Sequence, residues 1–363
     1  MNRNRIVGLI SLIVVVAVIC GFAVWRTTSK SGPGSATPTS TVSVTGYLGG
    51  EKTGLFDDDE FAKLAAESGL KVDYRKAGSL DMMTADRSGM DYLFPSSRTA
   101  VEYGASKGVK ATKQDIVFNS PIVVYTHKPV AEGLAKSGIM TKSGNVWRLD
   151  MAKAVDAMKA GRTWSQVGYA GGYGVFHIES TDPVKSNSGN EYAALLANTM
   201  NGGQPATRAS VKRDAATIRG IFAKSGWMET SSEDSFNQFL TLGVGSKPMM
   251  VGYESQILDL AVNNPDAYAQ VKDDLVIAYP TPTVWSTHTF MALDAKGEKL
   301  LTLLESKPVQ KLAWERHGFR SVTFSGTDSI TRFKVPGTVD TVQNVTELPP
   351  NDAMQDLIAA LKQ

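Results

Sequence analysis

Cysteine is nearly missing from this chain of 363 residues: Cys20 is its one thiol, and everything downstream of it has none. A body without thiols is compatible with an oxidising exterior. Histidine is scarce too. His127, His177, His288 and His317 stand far apart, with neither H-x-x-x-H nor H-E-x-x-H spacing, so the usual zinc signature is absent. His288 and His317 read as satisfied structural histidines. No G-x-S-x-G elbow occurs, and "GVGSK" at Gly243 to Lys247 lacks the leading glycine and the G-K-[S/T] order of a phosphate-binding loop. No cofactor is implied, and the chain does not read as an enzyme. A large excess of either charge is lacking as well. The formal balance is +2, and Arg3, Arg5, Arg26 and Lys30 hold four of the positive charges, which leaves about −2 for the rest. A body so close to neutral lacks the basic face that nucleic acid requires.

What is present begins with "IVGLISLIVVVAVICGFAVW", Ile6 to Trp25, twenty residues without a charge. At ~1.5 Å per residue such a helix spans the ~30 Å core of a bilayer. It reads as a membrane helix. A cleaved signal peptide and a lipid attachment at Cys20 are the alternatives; the run is longer than the usual signal core, and Ile19 stands where a lipid site wants a small residue. Basic residues flank both ends, so charge orients the helix poorly. Thr27 to Ser43, "TTSKSGPGSATPTSTVS", is too poor in apolar residues to fold and reads as a flexible linker.

From Val42 the pattern alternates strand and helix, which implies an α/β architecture with parallel pairing. Asp57 with Glu60 resembles a capping box opening a helix through Phe61, Leu64 and Ala65. Leu80 to Ser88 and Arg98 to Ser106 read as helices, and "MDYLFPSS" as a buried strand. "DIVFNSPIVVYTHKPVAEGL" holds two strand-like runs broken only at Asn119 to Pro121, and "LVIAYPTPTVWSTHTFMAL" is a second segment of that kind. One outbound and one returning crossing would join two lobes; two sequential domains are the alternative. The division expected is an anchor or uncleaved signal over 1–26, a linker over 27–43, a first lobe from 44–125 with 287–363, and a second over 126–286.

Polar loops recur at the mouths of helices. In "STDPVKSNSGNEYAALLANTM", Ser188 with Glu191 has capping-box spacing, placing Ser188 at a helix N-cap with Ser186, Asn187 and Gly189 around it. An N-terminal turn carries free N–H donors and partial positive charge, a seat for an anionic group. The alternative is a well-capped surface helix. "GYLGG" offers Gly46, Tyr47, Gly49 and Gly50; "FPSSRT" offers Ser96 and Ser97; "FNSP" offers Asn119 and Ser120. Each singly is an ordinary turn, but in open α/β sheets ligands bind beyond the strands' carboxyl ends, so their recurrence describes a binding cleft.

The order of "FNSPIVVYTHKPVAEGL", "FHIESTDPVKSNSGNEYAALLAN", "MVGYESQ", "VIAYPTPTVWSTHTFMAL" and "WERHGFR" resembles the type II solute-binding proteins of bacterial ABC importers, the kind that includes phosphate, sulfate and molybdate binders. The resemblance covers Val44 to Val322. It implies two α/β lobes, joined by two crossing strands, that close on a small polar solute, an oxyanion being the finer expectation. Carried over by position, it implies ligand contacts from Gly46, Tyr47, Gly49, Gly50, Ser96, Ser97, Asn119, Ser120, Thr181, Ser186, Asn187, Ser188, Gly189 and Tyr253. Binders that use carboxylates as ligands would add Asp182 and Glu254. The first loop departs from the pattern, because Glu51 opposes an anion unless Lys52 compensates. The implied protein faces the periplasm or the exterior, tethered by its N-terminal helix, with a small solute and ABC-importer membrane subunits or another membrane protein as partners. A ligand-sensing or scaffold module on the same fold is the alternative. The tail ends in a short amphipathic segment, Asp352 to Leu361, expected to pack on the first lobe, with contact to a membrane partner as the alternative.

Overall fold

A computed structural model describes residues 41–321 and 329–362. The anchor expected over 1–26 and the linker as far as residue 40 lie outside the described residues. Among the described residues no helix is long and apolar enough to cross a membrane.

The described chain opens with β1 (Val42–Leu48), α1 (Thr53–Phe56), α2 (Asp59–Glu67), β2 (Leu70–Lys76), α3 (Asp81–Thr84), β3 (Tyr92–Phe94) and α4 (Arg98–Ser106). β1 pairs in parallel with both β2 and β3, the arrangement that intervening helices impose. α2 is capped by Asp58, whose carboxylate accepts from Glu60 N at 2.8 Å. Asp57 instead ends the preceding turn, so the box expected at Asp57 is displaced by one residue. α3 covers four residues of the helix expected over Leu80 to Ser88. Asp86 takes the N–H and the hydroxyl of Ser88, and this local turn competes with the helix.

β4 (Lys113–His127) is one unbroken strand of 15 residues. After it come α5 (Lys128–Lys136), β5 (Met140–Ser143), β6 (Val146–Asp150), α6 (Met151–Lys159), α7 (Asn187–Met200), α8 (Arg208–Phe222) and α9 (Ser232–Leu242). Then follow β7 (Met249–Tyr253), α10 (Glu254–Asn263), α11 (Pro265–Val271), β8 (Leu275–Thr281), β9 (Trp285–Ala292), α12 (Ala295–Leu304), α13 (Lys307–His317), β10 (Arg320–Ser321) and α14 (Asn351–Leu361). The strands lie in the order β2-β1-β3-β9-β4-β8-β6-β5, with β7 and β10 also on β4. Up to Pro121, β4 pairs with β9. From Ile122 onward it pairs with β7 and β8. Pro121 stands where the ladder changes partners, a place that tolerates its missing N–H. The return between β8 and β9 is tied to the outbound strand by Thr283 Oγ1, which donates to Ile122 O at 2.7 Å.

Two cores follow from this handover. One is built from Val44, Leu48, Phe61, Phe94, Phe118, Phe290, Leu300 and Leu301. The other holds Leu149, Trp164, Phe176, Leu195, Leu196, Ile218 and Tyr253. A third cluster joins them, packing Tyr125, Phe236 and Phe239 against Trp314 of α13 and Phe333 of the tail. The "HGFR" stretch fastens the same seam. His317 bridges Asp259 and Asp58, at 2.6 and 3.0 Å; Gly318, at φ +68°, presses its Cα onto Leu258; and Phe319 stacks on Phe118 at 5.2 Å. α14 lies across both halves. Ala353, Met354 and Leu357 belong to the second core, while Ile358 sits with Leu80, Met83, Leu93 and Met291 of the first half.

Candidate functional site

Between the halves lies a cleft of about 360 Å³. The first half contributes Gly49, Gly50 and Glu51 from the loop after β1, and Lys76 to Ser79 with Asp81 from the loop after β2. From the second half come Ser186 and Asn187 at the start of α7, Thr230 to Ser232 with Asp234 at the start of α9, and Tyr253 at the end of β7. Both loops of the first half leave the carboxyl ends of parallel strands, where open α/β sheets place ligands. Across the mouth, Lys76 Nζ bonds Glu233 Oε2 at 2.9 Å and approaches Asp234 Oδ1 at 3.5 Å.

α7 begins two residues earlier than the expected capping box. Its cap is Ser186, whose side chain caps nothing. Ser188 is drawn away: its hydroxyl bonds Thr181 Oγ1 at 2.7 Å and Ser186 Oγ at 3.3 Å. Glu191 therefore closes no box. It is fully buried, and among the described residues neither carboxyl oxygen meets a donor in hydrogen-bonding geometry. Burial and the nearby charge of Glu51 push its pKa well above the usual value, which favours the neutral acid.

Behind the cleft wall is a buried polar knot. Lys52, with no exposed surface, pairs with Glu51, donates to Ser96 Oγ at 2.7 Å and to His288 Nδ1 at 3.3 Å, and lies 4.8 Å from the centre of the Phe94 ring. Ser96 Oγ donates in turn to Glu51. Burial alone would raise the Glu51 pKa, but the Lys52 charge, with help from His288 and the hydroxyl of Ser96, holds it down to about 2. For Lys52 the burial dominates, and its pKa falls despite Glu51. Burial and the Lys52 ammonium bring His288 down to about 3, so its ring is neutral and free to accept from lysine. Asn187 closes the knot from the other half: its Nδ2 donates to Ser96 O at 3.1 Å and to Tyr253 Oη at 3.0 Å.

Of the residues expected at a ligand, Gly49, Gly50, Ser186, Asn187 and Tyr253 line the cleft. Ser96, Thr181 and Ser188 lie just behind it, in the bonds described. Gly189 packs so tightly on Thr181 O that a Cβ would collide there. Ser97 caps α4, accepting from Ala100 N at 3.2 Å. The rest face elsewhere. Gly46 abuts Tyr92 within the sheet, and Tyr47 donates to Asp86 O at 2.8 Å. Asn119 pairs with β10 and β9. Ser120 Oγ accepts from Ser255 N at 3.1 Å. Asp182 lines a separate groove beside Lys185. Glu254 is fully buried in a two-pronged ion pair with Arg320, at 2.6 and 3.0 Å. The sequence reading passed over Lys76 to Asp81 and Thr230 to Asp234. Ser231 carried a usable signal, since it caps α9 by accepting from Asp234 N, three residues on.

No family model matches this chain, and no curated protein matches it. Solved structures do. A periplasmic thiamin-binding protein superposes with a TM-score of 0.59 at 10% identity, covering 92% of this chain and 100% of the other. Apo ferric ion-binding protein A of Pasteurella haemolytica gives 0.56 at 15% identity, over 88% and 96%. The sulfate-binding protein of Mycobacterium tuberculosis H37Rv gives 0.53 at 14% identity, over 89% and 96%. What the chain shares with them at these identities is the fold. It is the two-lobe α/β fold of type II periplasmic binding proteins, and the proteins it resembles are described as binders, not as enzymes.

Proposed function

We propose that this chain is a non-enzymatic, extracytoplasmic solute-binding protein. It captures a small polar solute between its lobes and presents it to the membrane subunits of an ABC importer, held at the membrane by the segment over 1–26. The lobe limits belong to the same proposal: 44–125 with 287–363 against 126–286, the last helix lying across both. The observation that carries it is the cleft itself, about 360 Å³ walled by both halves at strand ends and helix starts. That volume falls within the ~300–1,000 Å³ usual for small-molecule sites. A solute touching both walls would favour the closed arrangement, which is how such a fold couples binding to shape. An oxyanion finds weaker support than a polar solute in general, because the start of α9 already carries Glu233 and Asp234.

Thermal melting against oxyanions, amino acids, sugars and organic cations tests the reading. A true solute at a hundredfold excess over Kd should add ~2.7 kcal/mol. If no class of compound raises Tm, the reading is wrong. The scaffold alternative draws on one observation, that Asn187 already joins the halves directly through Ser96. A scaffold would keep one shape in small-angle scattering whatever is added, whereas a solute binder contracts.

A further inference from the structure

Resting on the solute-binding reading, we propose that the cleft selects an organic cation, a small ammonium compound, countered by Glu51, Asp81 and Asp234 on its walls and by Glu191 behind them. Glu51, Asp81 and Asp234 line the cleft with a single lysine, Lys76; once the ion pairs of Lys76 with Glu233 and Asp234 and of Lys52 with Glu51 are included, four carboxylates stand against two ammonium groups. Lys52 lies behind the wall, where its charge is matched by Glu51. Among the described residues, no free cation is left on the lining to receive an anion.

Helix starts would ordinarily offset this, each worth ~0.5 of a positive charge. At α9 acids answer this, since Glu233 and Asp234 stand in its first turn; α7 has no acid in its first turn and carries Glu191 one turn after Asn187. Positions four apart share a helix face, so Glu191 looks the same way as the cleft-lining Asn187. It lies within electrostatic reach of Glu51 and Lys52. A fully buried carboxyl whose oxygens meet no donor in hydrogen-bonding geometry among the described residues, with Asn187 and Ser286 beside it, keeps a proton until a counter-charge replaces it. A neutral solute leaves that proton in place, and an oxyanion would meet the charge of Glu51. A metal ion fits poorly as well: among the described residues no three His, Cys, Asp or Glu side chains converge as ligands. An organic cation can instead balance several carboxyl oxygens without fixed coordination geometry, by charge alone when quaternary and by donated N–H bonds as well when it is a primary ammonium. On its arrival Glu191 gives up its proton, so binding releases a proton and tightens as pH rises.

The experiment is titration calorimetry on the full chain with five probes: choline and putrescine as cations, sulfate and phosphate as oxyanions, maltose as a neutral control. Binding of choline or putrescine, tightening from pH 6 to pH 8, supports the proposal. Glu191→Gln should weaken that binding roughly thirtyfold or more, the loss expected when a buried charge loses its partner. Asp81→Asn, at an exposed position where folding is not at stake, should weaken it by a smaller factor. Binding of sulfate, phosphate or maltose with both cations silent overturns the cation assignment and leaves the solute-binding reading standing. Silence from all five overturns the assignment, and silence across the wider melting panel is what removes the reading itself. Cation binding that both variants leave unchanged overturns the role given to these carboxylates.

Discussion

His317 holds two carboxylates from two different helices, and its protonation is what makes both bonds strong. Its Nε2 faces Asp58 at the start of α2 and its Nδ1 faces Asp259 on α10. Burial alone would depress the imidazole, but the hydrogen bonds and charges of Asp259 and Asp58 win and raise its pKa. Burial likewise pushes Asp58 up, and the bond to His317 with the Glu60 N–H more than reverses it. The sign of the pH effect follows. The histidine's contribution is complete below its unfolded value of ~6.5 and is lost as pH climbs through the raised folded value; that of Asp58 is complete above ~3.9 and is lost as pH falls through its lowered one. His317→Gln should therefore cost most between about pH 4 and 6.5, on the order of 3 kcal/mol for breaking a buried charged contact. Melting curves at pH 5.5, 7 and 9 check this, and a gap between variant and wild type that stays constant with pH would refute it.

Among elements, α14 carries the heaviest structural duty for its length. Leu357, with no exposed surface, packs into the second core, so Leu357→Ala should cost about 2–5 kcal/mol in denaturant unfolding. A cost near zero would show that the tail merely rests on the body. The sequence reading located this helix to within a residue but assigned its packing to the first lobe alone, because an amphipathic pattern shows that a face is buried and not against what. The same distinction runs through the chain. Arg98 to Ser106 was legible to the residue, since Ser97 caps it and its apolar spacing is regular. The crossing segments were legible from paired apolar runs, although the break expected at Asn119 to Pro121 is a change of partner strand within one continuous strand. The start of α7 was not, because Ser186 and Ser188 are equally good caps locally and the choice is made by Thr181, seven residues upstream of Ser188. The burial of Glu191 behind the cleft wall was hidden for the same reason, because capping-box spacing from Ser188 gave its carboxylate a role at the helix start.

For the whole molecule the informative place is Gly78, where the loop after β2 meets the second half so closely that a Cβ would collide with Lys185 O. Its backbone needs no glycine, because Gly78 is not among the positive-φ residues. Gly78→Ala should thus leave each half folded and wedge the two apart, seen as a larger radius of gyration with little change in Tm. An unchanged radius would mean that the closed arrangement absorbs the extra methyl. Pulling the halves apart has a further consequence at the last helix, where Leu357 and Ile358 are neighbours in sequence yet belong to opposite sides. A helix does not stretch, so it must release one grip each time the molecule gapes. On the side of Leu80, Leu93 and Met291 its buried apolar hold is Ile358, so any opening is expected to free that side before the one gripped by Ala353, Met354 and Leu357.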